Sequence, residues 1–152
     1  MNLAANLPLL PRPARTKLLR AFGVEIGHAV VEPGVWLAAP NVTIGDGVYL
    51  NADAHLDANA RITIGARSRI GPRVTLLTSA HDVGPREQRC GTHIGQPVTI
   101  GEGCWLGAAV TVLPGVTIAS GCVIGAGSVV TRDTEPDGLY VGSPARRVRD
   151  LD

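Results

Sequence analysis

Aromatic side chains make up only 3% of this 152-residue chain. A core of that size built almost without Phe, Tyr and Trp has to be stacked from Ile, Val and Leu, as the coils of repeat proteins are. Charge of one sign is lacking too. The net charge of +1 excludes a global field that would draw in nucleic acid or an anionic membrane. No apolar run approaches the ~20 residues of a membrane span, so stable membrane insertion is not expected. Residues 1–11 are apolar, but they have no basic start and are interrupted by Pro8 and Pro11, which argues against a secretory signal. Cysteine is scarce, with three residues, and this usage suits a reducing cytoplasm.

Glycine and proline are plentiful instead, with 19 and 11 residues, and they punctuate the chain at regular intervals. Between them runs a ladder. Ile100, Leu106, Val112, Ile118, Ile124 and Val130 return every sixth residue, and small or compact residues follow four places on: Cys104, Val110, Val116, Cys122, Ser128 and Thr134. A helix needs apolar returns near 3.6 and a half-buried strand needs returns of 2. Period six fits neither. It fits a solenoid in which each hexad is one short flat side and one turn. The same beat passes through Ile44, Leu50, Leu56 and Ile62, with Val48, Ala54 and Ala60 at the inner small positions. The phase then slips by two residues, and Ile64, Ile70 and Leu76 resume it with Ser68, Val74 and Ala80 as partners. Ile26 is the candidate first rung, although Glu32 and Ala38 fill the next two ladder places poorly. Cys104 and Cys122 fall eighteen residues apart. If three hexads make a coil, they stack ~4.8 Å apart as buried reduced thiols. Parallel inward side chains are poorly aimed for a disulfide. Cys90 lies in a polar stretch and is the expected accessible thiol.

Residues 13–22 read as a short helix, with Pro13 near its first turn, Leu18, Leu19 and Phe22 as its apolar face, and Gly23 at its end. Its expected job is to cover the open end of the solenoid, where strand edges would otherwise be unpaired. Arg12, Arg15, Lys17 and Arg20 leave peripheral membrane contact as the lesser reading. The segment 77–97 breaks the beat, because Asp82 and Gln88 stand where ladder residues would fall. It is polar, long for a connection, and carries His81 and His93. Long loops on regular scaffolds are where function concentrates.

Four strings in order, Ile100-Gly-Glu-Gly-Cys-Trp-Leu-Gly, Val112-Leu-Pro-Gly-Val-Thr-Ile-Ala-Ser-Gly, Val123-Ile-Gly-Ala-Gly-Ser-Val-Val-Thr and Val141-Gly-Ser-Pro-Ala-Arg, resemble the hexapeptide-repeat acetyltransferases. The nearest branch is the galactoside and maltose O-acetyltransferase type, and the resemblance covers about residues 41–150. It implies an all-β solenoid, a left-handed parallel β-helix of triangular section, assembled as a homotrimer. Period six gives neither the hand nor the number of sides. Left-handed crossovers run against the general rule for parallel strands, so the hand rests on the resemblance. The implied organisation is an N-terminal extension with its capping helix over residues 1–22, a β-helix over 23–136 whose loop 77–97 carries the active site, and a tail over 137–152.

The resemblance also implies roles. His81, in Leu77-Thr-Ser-Ala-His-Asp, matches the catalytic histidine. An imidazole with a pKa near ~6.5 can take a proton from an attacking alcohol and return it to a leaving thiolate. Asn51 matches an asparagine near the acceptor and the thioester, and its amide can donate and accept. Trp105 matches an aromatic beside the pantetheine arm of coenzyme A. Ala108 and Ala126 match positions where backbone meets the cofactor, and the Ala108 N–H is a candidate oxyanion donor. Thr131, Arg132, Arg146 and Arg149 match contacts to the adenosine and phosphate end, where guanidinium forks suit phosphate. Asn59 falls where relatives often carry an acidic acceptor-binding residue, with Asp57 and Asp53 as nearby substitutes, and Thr92 sits near where relatives often have an acidic residue in the loop. The short N-terminal segment looks more like acetyltransferases of exopolysaccharide or antibiotic-sugar pathways.

The expected activity is direct transfer from acetyl coenzyme A to a hydroxyl of a sugar or sugar-containing acceptor, with no metal and no acyl-enzyme at Cys90. An N-acetyltransferase or serine acetyltransferase on the same fold is the alternative. A zinc enzyme like the left-handed-helix carbonic anhydrases would need three converging imidazoles. The spacing of His81, Cys90 and His93 matches no common zinc pattern, and His28 and His55 stand isolated. A non-enzymatic solenoid would not need the His81 loop, Trp105 and the basic tail together.

Overall fold

The computed structural model describes Asn2 and residues 10–152. The hexads form very short parallel strands that stack into three sheets, one per side of a triangular, left-handed β-helix. The first side holds β1 (Glu25–Ile26), β4 (Val42–Ile44), β7 (Ile62–Ile64), β12 (Val98–Ile100) and β15 (Thr117–Ile118). The second holds β2 (Val30–Val31), β5 (Tyr49–Leu50), β8 (Arg69–Ile70), β13 (Trp105–Leu106) and β16 (Val123–Ile124). The third holds β3 (Trp36–Leu37), β6 (His55–Leu56), β9 (Thr75–Leu76), β14 (Thr111–Val112) and β17 (Val129–Val130). Two strands of the tail, β18 (Gly138–Gly142) and β19 (Ala145–Asp150), continue the second side beyond β16.

Ladder residues point inward and the residue before each points out. Leu50, Leu56, Ile100, Leu106, Val112, Ile118 and Ile124 are fully buried. So are the small inner residues Ala54, Val74, Val110 and Cys122. Cys104 and Cys122 are free thiols whose sulfurs lie 3.1 Å from the Ala119 and Glu135 carbonyl oxygens. Burial pushes the Cys104 thiol up.

The irregular coils have identifiable causes. Val31 and Leu37, not Glu32 and Ala38, fill the first coil's ladder places, because Val31 stacks on Leu50 and Leu37 on Leu56. The side after Ile26 is one residue short and the return to Ile44 one residue long. The two-residue slip at Ile62 and Ile64 is a single strand, β7, in which both isoleucines face inward. The extra length is taken up at the preceding corner, where Ala58 is buried in the left-handed region at φ 47°. Ile62 and Val98, which stack in register, therefore take the inner places expected for Ala60 and Ala80, while Ala58 and Thr78 are buried at the corners.

The helix α1 (Arg12–Ala21) begins one residue earlier and ends one earlier than the spacing predicts, with Phe22 as its exposed C-cap. Leu19 is buried and plugs the first coil. Arg15, also buried, donates from Nη1 to the Val31 carbonyl at 2.9 Å. Arg20 donates to the carbonyls of Ile26 and Gly27, both at 2.7 Å. Asn2 pairs its amide with the N–H and C=O of Leu37. Polar groups at the open end of the coil thus find partners where no further strand exists. Among the described residues no helix is long and apolar enough to cross a membrane.

Candidate active site

The segment 77–97 is not an irregular loop but an antiparallel two-stranded arm, β10 (Ser79–Val83) and β11 (Cys90–Gly95). It leaves the coil after β9 and returns at β12, so it projects from the corner between the third and first sides. Asp57 fixes its root. One carboxylate oxygen accepts from the backbone N–H groups of Thr78, at 3.1 Å, and Ser79, at 2.8 Å. The other accepts from the Asn59 amide at 2.9 Å, and that amide also reaches the Ser79 hydroxyl at 2.7 Å. Burial would raise the Asp57 carboxyl, but the bonds from Ser79 and Thr78 outweigh it and hold the group below its ordinary value. Asp57 is therefore committed to the arm, while Asp53 stands exposed at a corner with φ 60°.

His81 sits on β10, directly across from His93 on β11. The two rings meet edge to face, 5.5 Å between centroids. His81 Nδ1 lies 3.0 Å from the Gly91 carbonyl oxygen. A carbonyl can only accept, so in the neutral ring Nδ1 carries the proton and Nε2 holds the lone pair. Cys90, exposed, lies opposite Val83 rather than beside the two imidazoles. Among the described residues no three His, Cys, Asp or Glu side chains are grouped to hold a metal ion. His55 is stacked on Trp36 at 4.3 Å, and His28 lies at the other end of the molecule from the tail.

A groove of ≈ 470 Å³ runs along the second side. Asn51, Trp105, Ala108 and Ala126 all line it. Their convergence follows from register. Leu50, Ile70, Leu106 and Ile124 stack, so the residues that follow them, Asn51, Gly71, Gly107 and Gly125, form one column. A Cβ on Gly71 would lie 2.8 Å from the Gly107 carbonyl carbon, and one on Gly107 would lie 2.7 Å from the Ala126 nitrogen. The floor is bare backbone for that reason. Trp105 stands over it, 59% exposed. The Ala108 carbonyl accepts from Gly127, whereas its N–H has no protein acceptor among the described residues.

Tyr49 and Arg69 also line this groove, with the Arg69 guanidinium 5.8 Å from the Tyr49 ring centre. Sequence reasoning passed over both. The available signal was position, since each immediately precedes a ladder residue on the same side as Trp105. Tyr49 donates its hydroxyl to Glu32 at 2.6 Å, and Arg12 pairs with the same carboxylate. The Tyr49 bond, ahead of Arg12, holds Glu32 below the usual carboxylate range.

The tail residues separate. Arg132 and Arg146 line a second groove, of ≈ 260 Å³, beside Tyr140 and Arg147. Thr131 and Arg149 are exposed and outside its lining. Arg147 is a clamp rather than an open cation, reaching Asp150 at 2.8 Å and the Glu135 and Pro136 carbonyls. His81 is absent from both grooves. One chain brings Asn51, Trp105, Ala108 and Ala126 together but leaves the His81 imidazole elsewhere.

Residues 97–132 match the family described as bacterial transferase hexapeptide (six repeats). The chain is 36% identical over 139 residues to a galactoside O-acetyltransferase of Escherichia coli K12, spanning 90% of this chain and 68% of that one. A maltose O-acetyltransferase from Clostridium difficile 630 matches in structure with a TM-score of 0.90 at 31% identity, over 99% of this chain and 81% of that one. A hexapeptide-repeat acetyltransferase of Vibrio cholerae complexed with acetyl coenzyme A matches with a TM-score of 0.90 at 33% identity, over 99% and 83%. The chain belongs to the hexapeptide-repeat acetyltransferases, on the galactoside and maltose O-acetyltransferase-like branch, and is an acyltransferase.

Proposed function

We propose that the protein transfers the acetyl group of acetyl coenzyme A directly to a hydroxyl of a sugar or sugar-containing acceptor, in a cleft between protomers of a homotrimer. The observation that carries this reading is the His81 Nδ1 contact to the Gly91 carbonyl, which leaves the Nε2 lone pair to act as the base. The donor thioester lies along the groove of the second side, its pantetheine arm against Trp105. Its phosphates lie toward Arg132, Arg146, Thr131 and Arg149. The arm of a neighbouring protomer supplies His81, and Asn51 orients the acceptor.

His81 Nε2 takes the hydroxyl proton as the oxygen attacks the thioester carbon. The oxyanion of the tetrahedral intermediate is met by the Ala108 N–H. The carbon–sulfur bond then breaks, and the thiolate leaves with the proton from His81. Such a base is worth ~10²–10⁴-fold in rate. His81→Ala should therefore reduce kcat by roughly that factor and leave acetyl coenzyme A binding, measured by calorimetry, within about twofold. Retained turnover would refute the assignment. Cys90→Ser should keep full activity; an inactive but folded variant would point to a covalent acyl-enzyme.

A further inference from the structure

A third groove, of ≈ 490 Å³, lies between α1 and the first coil, outside the site described above. Arg12, Lys17, Arg20 and His28 line it, and no carboxylate does. Two carboxylates border it, and both are committed. Glu32 is held by Arg12 and Tyr49, and Asp46 accepts from the backbone N–H of His28 at 2.7 Å. Arg20 donates only to neutral carbonyls, which fix its guanidinium without cancelling its charge. Among the described residues Lys17 forms no ion pair. The first turn of α1 contains no acid and begins with Arg12, against the helix dipole. Lys17 and Arg20, three residues apart, also repel one another on the helix surface. This placement works against the helix and suits an anion.

The groove adjoins the acceptor end of the active site. Val30, on its wall, pairs in register with Tyr49, which lines the Trp105 groove. The chain Arg12–Glu32–Tyr49 passes from one groove to the other. Glu32 is the rung next to Asn51, since Val31 stacks on Leu50. His28 stands at the bend that precedes β2, and Glu32 directly follows that strand.

We propose that this groove is an anionic subsite for the acceptor, binding a phosphate or carboxylate of a saccharide larger than one ring whose hydroxyl is acetylated beside Asn51. The proposal rests on the acetyltransferase reading above. It is tested on the full chain with maltotriose, maltotriose 1-phosphate and trigalacturonate, by calorimetric binding and by acceptor KM. At least one acidic saccharide should bind tenfold or more tightly than maltotriose, and the two acids compared tell phosphate from carboxylate. Lys17→Glu and His28→Glu, both at exposed positions, should each remove that preference and leave the KM values for maltotriose and acetyl coenzyme A unchanged. Equal binding of all three saccharides overturns the proposal, as does a Lys17→Glu variant that raises the KM for acetyl coenzyme A. Binding to phosphatidylglycerol vesicles that depends on Lys17, without discrimination among saccharides, overturns it in favour of a membrane surface. Discrimination in binding together with turnover retained in His81→Ala would sink the mechanism alone. Loss of turnover in His81→Ala without discrimination would sink the subsite alone.

Discussion

Asp57 shows how one residue decides what an arm of some twenty residues can do. Its carboxylate takes the N–H groups of Thr78 and Ser79 where the chain leaves the coil. Removing it leaves those donors unpaired, which costs ~1–3 kcal/mol when the site is buried from water. Asp57→Ala should therefore speed amide exchange through β10 and β11 more than through the coil, and lower kcat without altering the groove. The same carboxyl gives a pH dependence of known sign. Its folded pKa lies below the ordinary value. Its contribution is thus complete above about pH 4 and is lost as pH falls through the folded value. Exchange at Thr78 and Ser79 should accelerate below that pH in the wild type and not in Asp57→Ala. An arm equally protected in both proteins would show that Asp57 is not its anchor. The sequence made His81 and Asn51 visible as candidates because each sits in a family-like string. It left open whether Asp57 or Asp53 stands in for an acidic acceptor residue at Asn59, because the string does not say that Asp57 is taken up by backbone N–H groups of the arm.

At the scale of the element, the six-residue beat was legible wherever each side of the coil had equal length. From Ile100 to Val130 every ladder residue expected to be inward is inward. The reading faltered where a side lost or gained a residue, at Val31, Leu37 and Ala58, because a fixed period cannot report a corner that absorbs an extra residue. The arm was legible as an interruption but not as a hairpin, since its cross-strand pairs, such as His81 with His93, leave no six-residue trace. Close stacking of the corners makes a sharp prediction. A Cβ on Gly65 would lie 2.6 Å from both the Glu102 nitrogen and the Gly101 carbonyl carbon, which are backbone and cannot swing aside. A Cβ on Gly103 would meet nothing within 4 Å, though its φ of +65° carries its own strain. Gly65→Ala should destabilise by at least ~1–3 kcal/mol through overpacking. Gly103→Ala should lose only the ~1–2 kcal/mol of a left-handed residue with a side chain. Denaturant midpoints that rank the two in the opposite order would mean that neighbouring coils can slide apart.

At the scale of the whole molecule, the Trp105 groove and the His81 imidazole belong to different parts of one chain. The second side collects Asn51, Trp105, Ala108 and Ala126 by simple stacking of rungs. The arm carries His81 away from the corner between the third and first sides. A site split in this way can be completed by a neighbour in a closed ring, in which each protomer lends its arm to the next and receives another. No period in the sequence could reveal that division, because the ladder describes one coil and says nothing of which corner meets a partner. The division is testable by mixing. His81→Ala and Asn51→Ala are each expected to be nearly inactive as homomers. If both residues served the same site from one chain, mixed assemblies would stay inactive. If His81 comes from the arm of one protomer and Asn51 from the groove of the next, some interfaces in a mixed ring join two intact halves. Denaturing the two variants together and refolding them in equal amounts should then restore roughly a quarter of wild-type activity, the share of interfaces with an intact arm and an intact groove in a randomly assembled ring. Light scattering on the same sample should report three chains. A trimer without recovered activity would place arm and groove in the same protomer's service, and a folded, active monomer would remove the shared cleft altogether.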